Sequence, residues 1–204
     1  MSLSRRDALT LSAAFLLLPA AARAALAPDD QDRVDRAVAY LQGIGNAKGR
    51  FSQTDPQGTV TEGTVYISRP GKARFEYDAP YGLVITSDGK TVTVTNARLH
   101  TNNKYPMNAT PLGLFLTSQI QLDRGVKVLG VGRTVGGFSV TAADARHQAQ
   151  GQITLGFGEN PLRLTGWAIS DPQRRVTRVD LTSFAPAADL SPDLFVPPPP
   201  ANAP

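Results

Sequence analysis

Arg69-Pro-Gly-Lys-Ala-Arg-Phe-Glu-Tyr-Asp-Ala-Pro80 is the stretch on which the fold class turns. Pro70 and Gly71 punctuate the chain and open a new strand. Ala73, Phe75 and Tyr77 then alternate with Lys72, Arg74, Glu76 and Asp78, the period of a strand with one apolar and one charged face. Pro80 ends it, because proline has no N–H for a ladder. The same pattern recurs on both sides, so the chain reads as one sheet built outward from here.

Working outward, Asp29 to Ile44 is the one long helical pattern. Val34, Ala37, Val38, Leu41 and Ile44 recur at helix spacing opposite a charged face. Pro28, Asp29 and Asp30 suit its start, and Gly43 and Gly45 its stop. Strands follow: one from Phe51, then Thr59 to Ser68, then the strand quoted above. Leu83 to Thr86 and Thr91 to Thr95 read as a hairpin turning at Asp88-Gly89, which pairs Ile85 with Val92 and Leu83 with Val94. Leu99 to Tyr105 is a weaker sixth strand. Thr110 as a cap, Pro111 at the first helical position, and Leu112, Phe115 and Leu116 on one face predict a short second helix over Pro111 to Ser118. Strands resume at Val126–Val131, Phe138–Ala142, Ile153–Phe157, Leu162–Ile169 and Val176–Phe184. In Leu162–Ile169 the alternation leaves open whether Trp167 and Ile169 or Leu164, Gly166 and Ala168 face inward. Ser191-Pro192 opens a last helical turn, and the tail from Pro197 is proline-rich and expected to be disordered or extended.

The fold class expected is therefore mainly β with helices (α+β): a strongly curved antiparallel sheet forming an incomplete barrel, closed by an amphipathic helical lid. Its interior is either a filled core or a cavity, and strand pattern does not separate the two.

The chain has 204 residues, no cysteine and a formal charge of +4. Arg5 and Arg6, the apolar run from Leu9 to Ala22 and the small residues of Ala22-Arg23-Ala24 have the form of a cleavable signal peptide over residues 1–24. Ser4-Arg5-Arg6 leaves the twin-arginine route open beside the general one. The expected mature chain carries 18 basic and 16 acidic residues, too balanced for a nucleic-acid partner. A single folded domain is expected over residues 25–196 and a proline-rich tail over 197–204. Without cysteine there is neither a disulfide nor an acylated-cysteine anchor.

Nothing in the sequence calls for catalysis, metal or cofactor. His100 and His147 stand apart with no ligand cluster. No G-x-S-x-G occurs. Gly130-Val-Gly132 and Gly156-Phe-Gly158 lie on strands and read as bulges or bends rather than phosphate loops. Glu76 and Asp78 are ladder charges on a polar face.

Gly49-Arg-Phe-Ser-Gln53, Arg69 to Tyr77, Val84 to Val92, Thr110-Pro-Leu-Gly-Leu-Phe-Leu116 and Leu164 to Asp171, in that order, resemble the LolA family of periplasmic lipoprotein carriers. The resemblance implies a half-barrel with an apolar cavity. Phe51, Val65, Ile67, Ala73, Phe75, Tyr77, Leu83, Ile85, Val92 and Val94 would line that cavity. Val34, Val38, Leu41, Leu112, Phe115 and Leu116 would form the lid, with Arg69 as the latch between sheet and lid. The bland alternative for Arg69 is a solvated edge arginine. The partners implied are acylated lipoproteins, an inner-membrane ABC-type release complex and an outer-membrane receptor like LolB, with the carrier itself a monomer. Ala73 departs from the aromatic common in the family, which would enlarge the cavity there. Carriage of another amphiphile such as a glycolipid, and lipid sensing, are the competing readings.

Overall fold

The computed structural model describes residues 26–110, 113, 116–120, 125–146 and 151–199. The expected leader, Leu112, Phe115, His147 and the tail from Pro200 lie outside them.

One helix, α1 (Pro28–Gly43), precedes eleven strands. They are β1 (Asn46–Thr54), β2 (Val60–Ser68), β3 (Lys72–Tyr77), β4 (Leu83–Asp88), β5 (Thr91–Asn96), β6 (Thr101–Pro106), β7 (Val126–Thr134), β8 (Gly137–Asp144), β9 (Gln152–Glu159), β10 (Leu162–Ser170) and β11 (Val176–Pro186). All form one antiparallel sheet in the order β6-β5-β4-β3-β2-β1-β11-β10-β9-β8-β7. Two meanders are thus joined where β1 pairs with β11, and β6 and β7 remain as edges. The sheet does not close. Between those edges, residues 113 and 116–120 form the described part of a second cover, with Leu116 buried and Ile120 packed against the core.

Curvature shows in contacts between strands that are not neighbours. The rings of Phe75 on β3 and Trp167 on β10 meet edge to face with centroids 5.9 Å apart, although β2, β1 and β11 lie between their strands. Register shifts in the β1–β11, β9–β10 and β7–β8 pairs sharpen the bend, as bulges do.

The bulge in β10 settles its facing. The register against β9 slips between Leu164 and Gly166, so Leu164 before the slip and Trp167 after it are both buried against the core. Neither strict alternation holds along the whole strand. At Gly166, φ is +157°, and a Cβ there would strike the carbonyl oxygen of Val179 on β11.

The β4–β5 hairpin differs from the register expected. Ile85 pairs with Val94, Ser87 with Val92 and Leu83 with Asn96. The loop is Gly89-Lys90 rather than Asp88-Gly89. The Asp88 carboxylate accepts the N–H groups of Lys90 and Thr91 at 2.8 and 2.7 Å, which makes Asp88 the residue before the turn. A two-residue shift leaves every side chain on its expected face.

The second helix also differs. Gly113 and Leu116 are helical, but Thr117 and Ser118 have left the helix. The Thr110 hydroxyl donates back to the Met107 carbonyl instead of capping forward. On the outer face, a 3-10 turn at Pro192–Phe195 packs on β3 and β4. Phe195 is buried, and so are Thr86, Thr93 and Thr95, although they lie on the face opposite the core. Arg74 fixes this turn by donating to the Leu194 carbonyl at 3.3 Å.

Candidate functional site

The inside of the cup is a single apolar cluster contributed by α1, β1–β3 and β7–β11. Of the ten residues expected to line a cavity, Phe51, Val65, Ile67, Ala73, Phe75, Tyr77 and Val92 are buried, while Leu83 and Ile85 pack against them half-buried. Val94 is half-buried opposite Ile85. Phe51 holds this side together. Its ring meets Phe75 at 5.9 Å and Tyr77 at 5.1 Å, both edge to face. Gly63 permits this, since a Cβ there would lie 2.6 Å from the Phe51 ring. The Tyr77 hydroxyl donates to Gln53 Oε1 at 2.7 Å, and burial pushes its pKa up to about 12. Ala73 is fully covered, so the space left by the missing aromatic is not open there.

Among the described residues, one unfilled space lies on the other side of the cup. A cavity of about 40 Å³ runs under α1, bounded by Val34, Ala37, Val38 and Leu41 above and by Val126, Val128, Val140, Ala142, Ile153 and Leu155 below, with Ile120 at its side. Every lining side chain is apolar. Val34, Val38 and Leu41 of α1 border this hollow, while the ten sheet positions expected to line a cavity lie elsewhere in the cup. This volume holds water molecules at most, not an acyl chain. With α1 in this position, the space directly beneath the helix is too small for a long apolar ligand. A larger hollow of about 370 Å³ on the outer face includes Ser139, Thr154, Thr165, Arg178 and Asp180 in its wall, and its polarity does not suit an acyl chain.

Two sets of contacts hold the covers down. At the C-terminal end of α1, Arg69 Nη1 donates to the Leu41 carbonyl at 2.7 Å, and Nη2 donates to the Thr117 carbonyl of the second cover. The adjoining backbone assists: Arg69 N–H donates to Gly45 and Gly71 N–H to Leu116, at 3.0 and 2.8 Å. The β2–β3 turn therefore clasps both covers at once. Burial holds the guanidinium below its ordinary pKa without discharging it. At the N-terminal end, Arg36 pairs with Glu159 at 3.1 Å, Arg33 with Glu159 at 4.0 Å, and Asp30 with Arg133 at 3.5 Å. Arg36 also lies over the Phe138 ring, 5.6 Å from its centroid. Sequence reasoning missed Glu159, because its partner is 123 positions away.

The family model described as "Outer membrane lipoprotein carrier protein LolA" matches residues 42–198. The chain belongs to the LolA family. Among its relatives, an outer-membrane lipoprotein carrier protein of Chromobacterium violaceum is 29% identical over 197 residues, covering 91% of this chain and 94% of the relative. A protein of the same description from Methylibium petroleiphilum is 28% identical over 181 residues, covering 84% and 88%. The crystal structure of an uncharacterized conserved protein from Thermus thermophilus superposes with a TM-score of 0.50 at 15% identity, covering 84% of this chain and 95% of that one. That likeness is one of fold. The LolA match begins inside the last turn of α1, so most of α1 is read from the structure itself.

Proposed function

We propose that this chain is a periplasmic carrier of acylated lipoproteins, which it holds by burying their acyl chains between the cupped sheet and its covers. The observation that carries the reading is the wholly apolar cavity beneath a helix, in a chain of the LolA family. The relatives' description as outer-membrane lipoprotein carriers favours lipoprotein over glycolipid as cargo. On this reading residues 1–24 are a leader, residues 25–196 the carrier domain and Arg69 the latch. An inner-membrane ABC-type complex loads a monomeric carrier, and a LolB-like outer-membrane receptor unloads it.

The physical logic is transfer free energy. Each methylene removed from water is worth about 0.8 kcal/mol, so an acyl chain leaves a bilayer only for another dry site. The sheet supplies dryness, and the covers make it reversible. No bond is made or broken, and no cofactor is required.

The test is release. Inner-membrane vesicles carrying an acylated lipoprotein and the ABC-type complex are incubated with the mature protein and ATP, then sedimented. Lipoprotein should appear in the supernatant as a one-to-one complex with the carrier. Lipoprotein that stays with the vesicles while the carrier remains folded would reject the reading.

A further inference from the structure

Helix α1 borders a second hollow. Where its last turn passes into β1, Tyr40 and Ile44 face Ala47 of β1 and Phe184 of β11 across a space of about 300 Å³. The cavity beneath the helix measures about 40 Å³ in the same closed form. Gly43 and Gly45 keep the space open: a Cβ at either would meet nothing within 4 Å. The Tyr40 ring is held edge-on against Phe157 at 6.0 Å, so this wall is continuous with the core. Among the described residues, no charged side chain lines the hollow.

We propose that this hinge hollow is a second acyl subsite, which takes one acyl chain of the cargo while α1 is still shut. The inference rests on the carrier reading above and adds where a chain lodges first. A charged or strongly polar ligand would lose its hydration here with no ion partner to replace it, whereas an apolar chain only gains. The volume is at the lower end of the range for small-ligand pockets. The lidded cavity and this hollow lie on two flanks of the same helix. Leu41 lines the first, Tyr40 and Gly43 line the second, and the Leu41 carbonyl is the one Arg69 holds. A chain in the hinge hollow therefore rests against the segment that must shift before the main cavity opens.

The test is a titration of the mature protein with the fluorescent fatty acid cis-parinaric acid. The expected result is two equivalents bound. Gly43→Leu, at a lining glycine whose Cβ would meet nothing within 4 Å, should reduce this to one, and so should Val38→Asp, which places a carboxylate in the lidded cavity. Gly130→Leu, at another glycine with nothing within 4 Å of its Cβ, should leave both. Gly45→Leu repeats the hinge test should Gly43→Leu lower the melting temperature. One equivalent in the parent protein, lost in Val38→Asp and kept in both hinge variants, overturns the hinge subsite and leaves the carrier reading standing. No binding in the parent overturns both. Hinge variants that bind two equivalents yet fail to engage the inner-membrane complex would make the hollow a protein contact, and would also overturn the proposal.

Discussion

At Arg69, one guanidinium bonds carbonyls from two separate covers, Leu41 and Thr117. On the proposed carrier reading these bonds break when the covers open, so they stabilise the state that competes with loading. A hydrogen bond to a charged group contributes about 1.5–3 kcal/mol, which corresponds to roughly a ten- to a hundredfold weakening of apparent cargo affinity. Arg69→Leu should load normally or better and pass cargo poorly to the outer-membrane acceptor, with Arg69→Lys in between because it keeps charge but loses the fork. Two-step assays of loading and hand-over check this; a leucine variant that loads poorly but unloads at the normal rate would reverse the role. Gly63 makes a different demand. Its Cβ would press on the Phe51 ring and on the carbonyl of Glu76 in β3. Gly63→Ala should cost about 1–3 kcal/mol, as overpacking does, read as a lower denaturation midpoint at unchanged slope.

At the scale of elements, α1 is fastened differently at its two ends. Its C-terminal end is held by carbonyl bonds from the half-buried Arg69, and its N-terminal half by partly solvated ion pairs through Glu159. Partly solvated pairs at the surface contribute little, so Glu159→Gln should shift stability by less than about 1 kcal/mol. Opening of α1 should nevertheless become easier, seen as faster amide exchange over residues 28–43; unchanged exchange would mean that Glu159 does not restrain the helix. What the sequence showed of these elements follows from what is local. The facing of β3 was legible because a period of two needs no partner, and the α1 stripe because a period of 3.6 needs none either. The facing of Trp167 was not legible, because a bulge beside Gly166 resets the alternation and only the neighbouring strands reveal it. The β4–β5 loop was displaced by one residue because the side-chain bonds of Asp88 decided it. The cavity's place under α1 was hidden because it depends on how β7, β8 and β9 fill volume together.

Over the whole molecule, the proposed carrier reading makes the sheet a fixed cup and the covers the parts that move. The cup should be acid-sensitive through identifiable groups. The Arg50 guanidinium holds the Asp78 carboxyl below the usual range, and the Thr91 and Lys90 N–H groups do the same for Asp88. Each contributes stability in full above its unfolded pKa of about 4 and loses it as pH falls through the lower folded value. Melting temperature should therefore fall on acidification below about pH 4, and replacing both residues by Asn should flatten that limb; an unchanged limb would place the acid sensitivity elsewhere. The central claim, that acyl chains are buried inside the cup, has a built-in reporter. Trp167 is the only tryptophan, is buried, and pairs across the ladder with Leu155, which lines the cavity under α1. The measurement is Trp167 fluorescence while the mature protein takes up lipoprotein whose acyl chains are brominated. Uptake should quench Trp167 in proportion to the cargo bound, and unbrominated cargo should not. Stoichiometric uptake of brominated lipoprotein with Trp167 fluorescence unchanged would place the chains outside the cup and contradict the account.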